Sequence, residues 1–320
     1  MEDVRDSILY VVERADHVWI NPERLTHISK EIYANRPTIP TWDYTLHYFD
    51  ATERTLYYLF VLDTINFCFW PKQGHQRWSI SVGGKELSGY YGLAAGLKGA
   101  FEKGYPLDDP TWLASLKIED LEEILSGKGK LQLMEERVMA LRELGTFFLG
   151  KWAGRPAKFV EACRASAVRL ALWLASELPS FADFSYYKGR KILFYKRAQL
   201  LAADLYCAFR GKGWGRFLDM EELTAFADYK LPQVLRHMGI LQYSPSLAKR
   251  IDSRELIPPG SPEEVEIRAT TIWAVELLLE ELGRLGLKMR AFELDWMLWN
   301  LGQQGVFRKK PYHLTITRFY

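Results

Sequence analysis

Apolar residues recur at three- and four-residue intervals over 131 to 151, 155 to 176, 194 to 209, 219 to 227, 232 to 238, 262 to 284 and 290 to 302. That spacing gathers an apolar stripe on one face of a helix and predicts a mainly α fold. The period changes in "RWSISVGGKELSG", where alternating residues flank Gly83 and Gly84. A glycine pair between alternating runs is the chemistry of a two-residue turn, so one small β-hairpin is expected near 77–88. The C-terminal "VFRKKPYHLTITRFY" also alternates, with basic residues among aromatics. It reads either as a docked terminus closing a phosphate site or as a surface tail.

Helix ends are marked as well. Asp219 and Glu222 have capping-box spacing, Pro232 suits the first turn of a following helix, and Gly239 suits its C-terminal cap. Ser261-Pro262-Glu263-Glu264 reads as a capped start after the loop "ELIPPGSPEE". Neither that loop nor "SGKGK" at 126 to 130 is long enough to demand separate domains, and no repeat of 20 to 50 residues is evident. The expectation is a single α-helical domain spanning 1–320, with two lobes around a cleft.

Composition narrows the function classes. Of 320 residues, 48% are hydrophobic and 26% charged, and the longest apolar stretch, "YYLFVLDTINFCFWP", is interrupted by Asp63 and Asn66. No run reaches the roughly 18 apolar residues of a membrane span. The acidic opening "MEDVRDSILYVVERADHVWI" lacks the basic start of a secretory signal, so a cytosolic location is the default expectation. A net charge of +2 is too mild for a protein that grips a nucleic-acid duplex, yet it suits a small anionic ligand. Cys68, Cys163 and Cys207 are far apart and odd in number, which argues against a disulfide framework. Among the histidines only His47, four residues after Asp43, has metal-like spacing, and no further ligands stand nearby.

Three stretches can carry chemistry. In "FADYKLPQVLRHMG" Asp228 falls in a connection between two expected helices, near the positive end of the second, which favours an ionised carboxylate. Two readings are open: a turn residue that satisfies backbone amides, or a carboxylate aimed at a substrate. In "LFYKRAQLLAADLYCAF" Arg197 and Asp204 border an apolar helical face, either as members of an ion-pair network or as functional groups, and Lys196 with Arg197 suits an anion. In "YYLFVLDTINFCFWPKQ" Asp63, Asn66, Phe67 and Trp70 fall on one side of an expected helix. They are either an aromatic core with polar caps or the walls of a site for a flat, polar-edged, cationic ligand. "GKGWGR" at 211 to 216 has no preceding strand and no Gly-Lys-Ser/Thr, so it is read as a helix connection.

The motifs "NRPTIPTWDYTLHYFD", "LDTINFCFW", "GGKELSGYYGLAAGL", "YKRAQLLAADL" and "FADYKLPQVLRHMGIL" occur in this order over most of the chain. The set resembles the queuosine salvage protein family, whose members hydrolyse queuosine 5′-phosphate to queuine and ribose 5-phosphate. The resemblance implies a DNA-glycosylase-like fold similar to the helix-hairpin-helix superfamily, and an enzyme with no metal or organic cofactor. It implies that Asp228 is the catalytic carboxylate and that Lys196 faces the same pocket. It further implies a base pocket built with Asp63, Asn66, Phe67, Phe69 and Trp70. Tyr229, beside the catalytic position, is expected to bind substrate, and Lys196, Arg197, Lys230 and His313 form the pool for the 5′-phosphate. Two departures stand out. Lys230 occupies a position commonly arginine in the family, and "KLPQVLRHMG" lacks the glycines of the DNA glycosylases' hairpin, which argues against duplex DNA as substrate.

The implied partners are therefore a small nucleotide substrate and queuine as product, with neither stable nucleic-acid binding nor a membrane. Two alternatives remain open at this point: a DNA or RNA base glycosylase that flips its target, and a helical queuine-binding protein without catalysis.

Overall fold

The computed structural model describes residues 1–72 and 74–320. Fourteen α-helices and three two-stranded antiparallel sheets account for its regular structure among the described residues, so the fold is mainly α. No helix among them is long and apolar enough to cross a membrane.

The chain divides into two compact units, each assembled from interleaved stretches. The first comprises residues 1–41, 183–199 and 219–316. Its core gathers Leu25, Ile28 and Ile32 of the helix Pro22–Asn35, Leu231, Val234 and Leu235 of Lys230–His237, Val275, Leu278 and Leu282 of Pro262–Arg284, and Leu294, Met297 and Leu298 of Ala291–Leu301. The second comprises 42–182, 200–218 and 317–320. Its packing is led by aromatic edges, with Phe60 and Phe148 centroids 5.1 Å apart and Phe147 and Phe159 5.2 Å apart.

The expected helix at 262 to 284 forms as Pro262–Arg284, and Ser261 accepts a hydrogen bond from Glu264 N at its start. The hairpin pairs Ser79–Val82 with Lys85–Ser88 through Gly83 and Gly84, both in the left-handed region. It is one of three strand pairs rather than the single one expected. A second hairpin joins Phe184–Tyr187 to Arg190–Leu193, and Val18–Ile20 pairs with Leu241–Tyr243. The second hairpin turns on Lys188 and Gly189, again both left-handed, a signal that the lysine disguised.

Three helical expectations fail for identifiable reasons. Residues 155 to 176 split into Pro156–Ala162 and Ala167–Glu177, because Arg164 and Ala165 are left-handed and Ser166 caps a new helix. Residues 219 to 227 are not a helix: a single 3-10 turn, Met220–Glu222, precedes an extended stretch, and Asp219 makes no side-chain cap. Side chains take the amides there instead, Gln199 Oε1 from Thr224 N at 2.9 Å and Asp295 Oδ2 from Phe226 N at 2.7 Å. The helix carrying Asp63 ends at Thr64, so Asn66, Phe67 and Trp70 follow it in irregular backbone with Cys68 left-handed. The fully buried Arg137 guanidinium draws the carbonyls of Ile65, Phe67 and Cys68 onto itself.

The C-terminal segment is not a strand. Leu314 forms an isolated bridge with Leu256, and the terminal Tyr320 is buried, its carbonyl accepting from Cys68 N at 2.9 Å. The surface-tail reading is thereby excluded for Tyr320.

Candidate active site

In the first unit the extended stretch from Leu223 delivers Asp228 to the start of the helix Lys230–His237. Asp228 Oδ1 accepts from Lys230 N at 2.7 Å and from Leu231 N at 2.9 Å, so one oxygen is fixed by the first turn. Burial pushes the Asp228 carboxyl up from its ordinary value. The Lys196 ammonium is the strongest influence in the other direction, ahead of the two amides and Lys230. The helix end therefore favours the ionised form as its placement suggests, but desolvation outweighs it. The result is a buried carboxylate with one oxygen tied down and raised basicity.

Lys196 is buried and opens the helix Lys196–Ala208. Its amide donates to Asp183 Oδ2 at 3.1 Å. A second carboxyl, Asp295, projects from the helix Ala291–Leu301, buried beside the same stretch. Burial first, then the Asp228 charge, holds Asp295 well above the ordinary carboxylate range. Lys196 bears on both acids, and burial with the Asp228 charge favours the protonated form of Asp295.

Lys230 is also buried, with Nζ donating to Gln233 Oε1 at 2.8 Å and to Gly302 O at 3.2 Å. Tyr229 stacks at a tilt on Tyr312, their centroids 4.8 Å apart, and Lys230 Nζ lies 5.4 Å from the Tyr312 ring centre. Arg197 is buried next to Lys196 in sequence. His313 is buried too, and burial followed by the charge of Arg268 brings its imidazole down to about 3. It is therefore held neutral at physiological pH, able to hydrogen-bond but carrying no charge.

The second unit holds the other expected site residues. Asp63 is fully buried in the helix Glu53–Thr64, and Asn66, Phe67, Phe69 and Trp70 are all buried after it. Asp63 and Asp204 both bear on the hydroxyls of Tyr58 and Tyr90, whose ionisation burial already opposes. Arg137 lies 4.3 Å from the Phe67 ring centre and 5.5 Å from that of Phe69. An open depression of about 660 Å³ elsewhere in this unit is lined by Tyr44, Phe49, Phe209, Arg210 and Lys212, and by none of the expected site residues. The Asp43 and His47 spacing is not a metal site: the imidazole Nδ1 meets the Asp43 carbonyl at 2.8 Å, while the Asp43 carboxylate caps Thr45 and Leu46. Among the described residues no group of three or more His, Cys, Asp or Glu is placed to hold a metal ion.

Sequence reasoning missed Asp183, Arg268 and Asp295. Asp183 and Asp295 are each flanked by apolar or aromatic residues, the same signal that drew attention to Asp63, whereas Arg268 stands among other charges and threonines and carries no such signal. Asp183 also sits in a second Phe-Ala-Asp, residues 181 to 183, echoing 226 to 228.

Residues 46–320 match the family described as "Queuosine salvage protein". The chain is 46% identical over 310 residues to a protein of Sphaerobacter thermophilus named "Queuosine 5′-phosphate N-glycosylase/hydrolase", covering 97% of this chain and 95% of that one. Proteins of the same name from Nematostella vectensis and Mus musculus are 33% and 31% identical, each match covering 99% of this chain and 98% of the relative.

Proposed function

The chain belongs to the queuosine salvage protein family, and from that premise we propose that it hydrolyses the N-glycosidic bond of queuosine 5′-monophosphate. The products are ribose 5-phosphate and queuine, a base returned to tRNA modification. The observation that carries the reading is the buried Asp228 carboxylate, anchored by two amides and opposed in its burial by Lys196.

Cleavage builds positive charge on the ribose as C1′ parts from the base nitrogen, and a fixed anion beside C1′ stabilises that oxocarbenium-like state. Asp228 supplies the anion. Its raised basicity also suits it to take a proton from the water that attacks C1′. The electrons of the broken bond leave with the base, a 7-deazaguanine that has no N7 to protonate. Proton donation and hydrogen bonds at its other heteroatoms therefore matter. Lys196 acts with Asp228. Lys196, Arg197, Lys230 and a neutral His313 serve the 5′-phosphate, and Tyr229 adjoins it. Asp63, Asn66, Phe67, Phe69 and Trp70 serve the base, with Asp63 for the cyclopentenyl ammonium or a base-edge donor. The reaction so written needs water and no cofactor. We assign it to the cytosol and to a single functional domain, a reading supported by the way each unit draws on three separate stretches of chain.

Chromatographic assay of base release tests the proposal. The purified protein is expected to free queuine from queuosine 5′-monophosphate and to act far more slowly on unphosphorylated queuosine. Asp228→Asn is expected to fold and bind but lose turnover by about 10²–10³-fold or more. Wild-type turnover in that variant would overturn the assignment of Asp228. Salt-sensitive base release from an oligonucleotide would favour a nucleic-acid glycosylase, and ligand-induced stabilisation without base release would favour a non-catalytic binder.

A further inference from the structure

Asp183 and Arg268 form a buried bidentate ion pair, with N···O distances of 2.8 and 2.7 Å and both side chains about 2% exposed. Each partner reaches beyond the pair. Arg268 Nε donates to the carbonyl of Ala227 at 3.2 Å, the residue before Asp228, and its guanidinium lies 3.9 Å from the ring centre of Phe194. Asp183 Oδ2 accepts from the amide of Lys196, and its carbonyl accepts from Phe194 N and Tyr195 N at 3.1 Å each. The hairpin explains the meeting: Phe184 pairs with Leu193, so Asp183 arrives opposite the residues that lead into Lys196.

We propose that Asp183 and Arg268 are positioning residues for the hydrolysis, a rigid brace that sets the Lys196 backbone against the Asp228 turn. Neither touches the substrate in this scheme. The brace rests on the reading of Asp228 and Lys196 as the working pair. An arginine fork suits the task, because two parallel bonds to a carboxylate fix orientation as well as distance, leaving Nε for the Ala227 carbonyl. Displacing a catalytic group by about 1 Å costs on the order of 10²-fold in rate. Stability alone is a weak account of the pair, since a buried pair generally gains little over apolar packing of the same volume.

The test compares wild type, Asp228→Asn, Arg268→Lys, the neutral pair Asp183→Asn with Arg268→Gln, and Leu282→Ala, a core truncation in the Arg268 helix. Arg268→Lys keeps the charge and loses the fork. It is expected to lower kcat by about 10- to 100-fold with KM within about two-fold. The acid limb of its kcat/KM profile should move to higher pH as Lys196 drifts from Asp228. The neutral pair should behave likewise, whereas Leu282→Ala should lose stability and keep the wild-type profile. If wild type releases no queuine, or Asp228→Asn keeps its turnover, the functional reading fails first. If those two behave as proposed while Arg268→Lys retains wild-type kcat and acid limb, the brace alone is overturned. Should Arg268→Lys not fold, the neutral pair decides. If neither folds, the ion pair is a requirement of the fold and the positioning assignment falls.

Discussion

At the scale of single residues the candidate site is a problem in charge. Asp228 and Asp295 are both buried, and Lys196 opposes the desolvation of each. Burial and the Asp228 charge favour the protonated form of Asp295, and they act against Lys196 and the Phe226 amide, both of which favour the ionised form. A carboxyl whose folded-state pKa is raised binds its proton in the native state after the unfolded chain has released it. Its contribution to stability is therefore greatest in acid and declines as the pH climbs from about 4 towards the folded value, at about 1.4 kcal/mol per pH unit. Asp295→Asn reproduces the neutral shape and an acceptor for Phe226 N without that penalty. Melting curves at pH 4.5, 6 and 7.5 are expected to show the variant gaining on wild type at each step upward; parallel curves would mean that Asp295 is ionised in the native protein. Asp295 was legible only in part. Its place between Leu294 and Trp296 marks a buried charge, but its partner lies 69 residues away and no local pattern points to it.

At the scale of elements, structure followed the sequence in most segments whose backbone groups bond locally, although the split of 155 to 176 and the hairpin at Lys188 and Gly189 are local departures. Pro262–Arg284 is the clearest instance, with periodicity and a serine cap agreeing. It departed wherever distant side chains captured the backbone: Gln199 and Asp295 over residues 224 to 226, and Arg137 over 65 to 68. Such capture depends on which helices pack together, and hydrophobic spacing carries no record of it. The catalytic candidate lies two residues past one of these captured stretches, so the motif was readable and the conformation that delivers it was not. Glycines give a test at this scale. A Cβ on Gly302 would stand 2.5 Å from Lys230 Cδ and 2.8 Å from Val234 Cγ2, whereas one on Gly99, within the helix Gly89–Glu102, would meet nothing within 4 Å. Gly302→Ala is expected to destabilise by about 1–3 kcal/mol through displaced side chains and to impair phosphate-dependent turnover by shifting Lys230. Gly99→Ala is expected to stabilise by about 0.5–1 kcal/mol. Urea denaturation of the two variants checks the opposite signs; shifts of the same sign would refute the packing argument.

At the scale of the whole molecule, each unit buries one histidine, and both are held neutral, chiefly by burial: His47 at about 4 and His313 at about 3, against an ordinary 6.5. The bonding around His47 agrees. Its Nδ1 must donate to the Asp43 carbonyl, which leaves Nε2 to accept from the Tyr90 hydroxyl, 2.8 Å away in each case, and a protonated ring would turn that acceptor into a donor. A histidine depressed in the folded state takes up its proton only on unfolding, so stability is full above about pH 6.5 and drains as the pH falls towards the folded values. At about 1.4 kcal/mol per pH unit the two sites together represent on the order of 8 kcal/mol, comparable with the whole stability of a typical domain. Asp228 and Asp295 work in the other direction, because a raised carboxyl binds its proton in the native state at pH values where the unfolded chain has released it, and so offsets part of the loss in acid. Between pH 6 and 5, His47→Gln should lose less stability in acid than wild type by up to about 1.4 kcal/mol per pH unit, whatever it does to stability at neutral pH, and urea titrations of the two proteins check the difference in slope. An unchanged slope would mean that His47 is already charged in the folded protein.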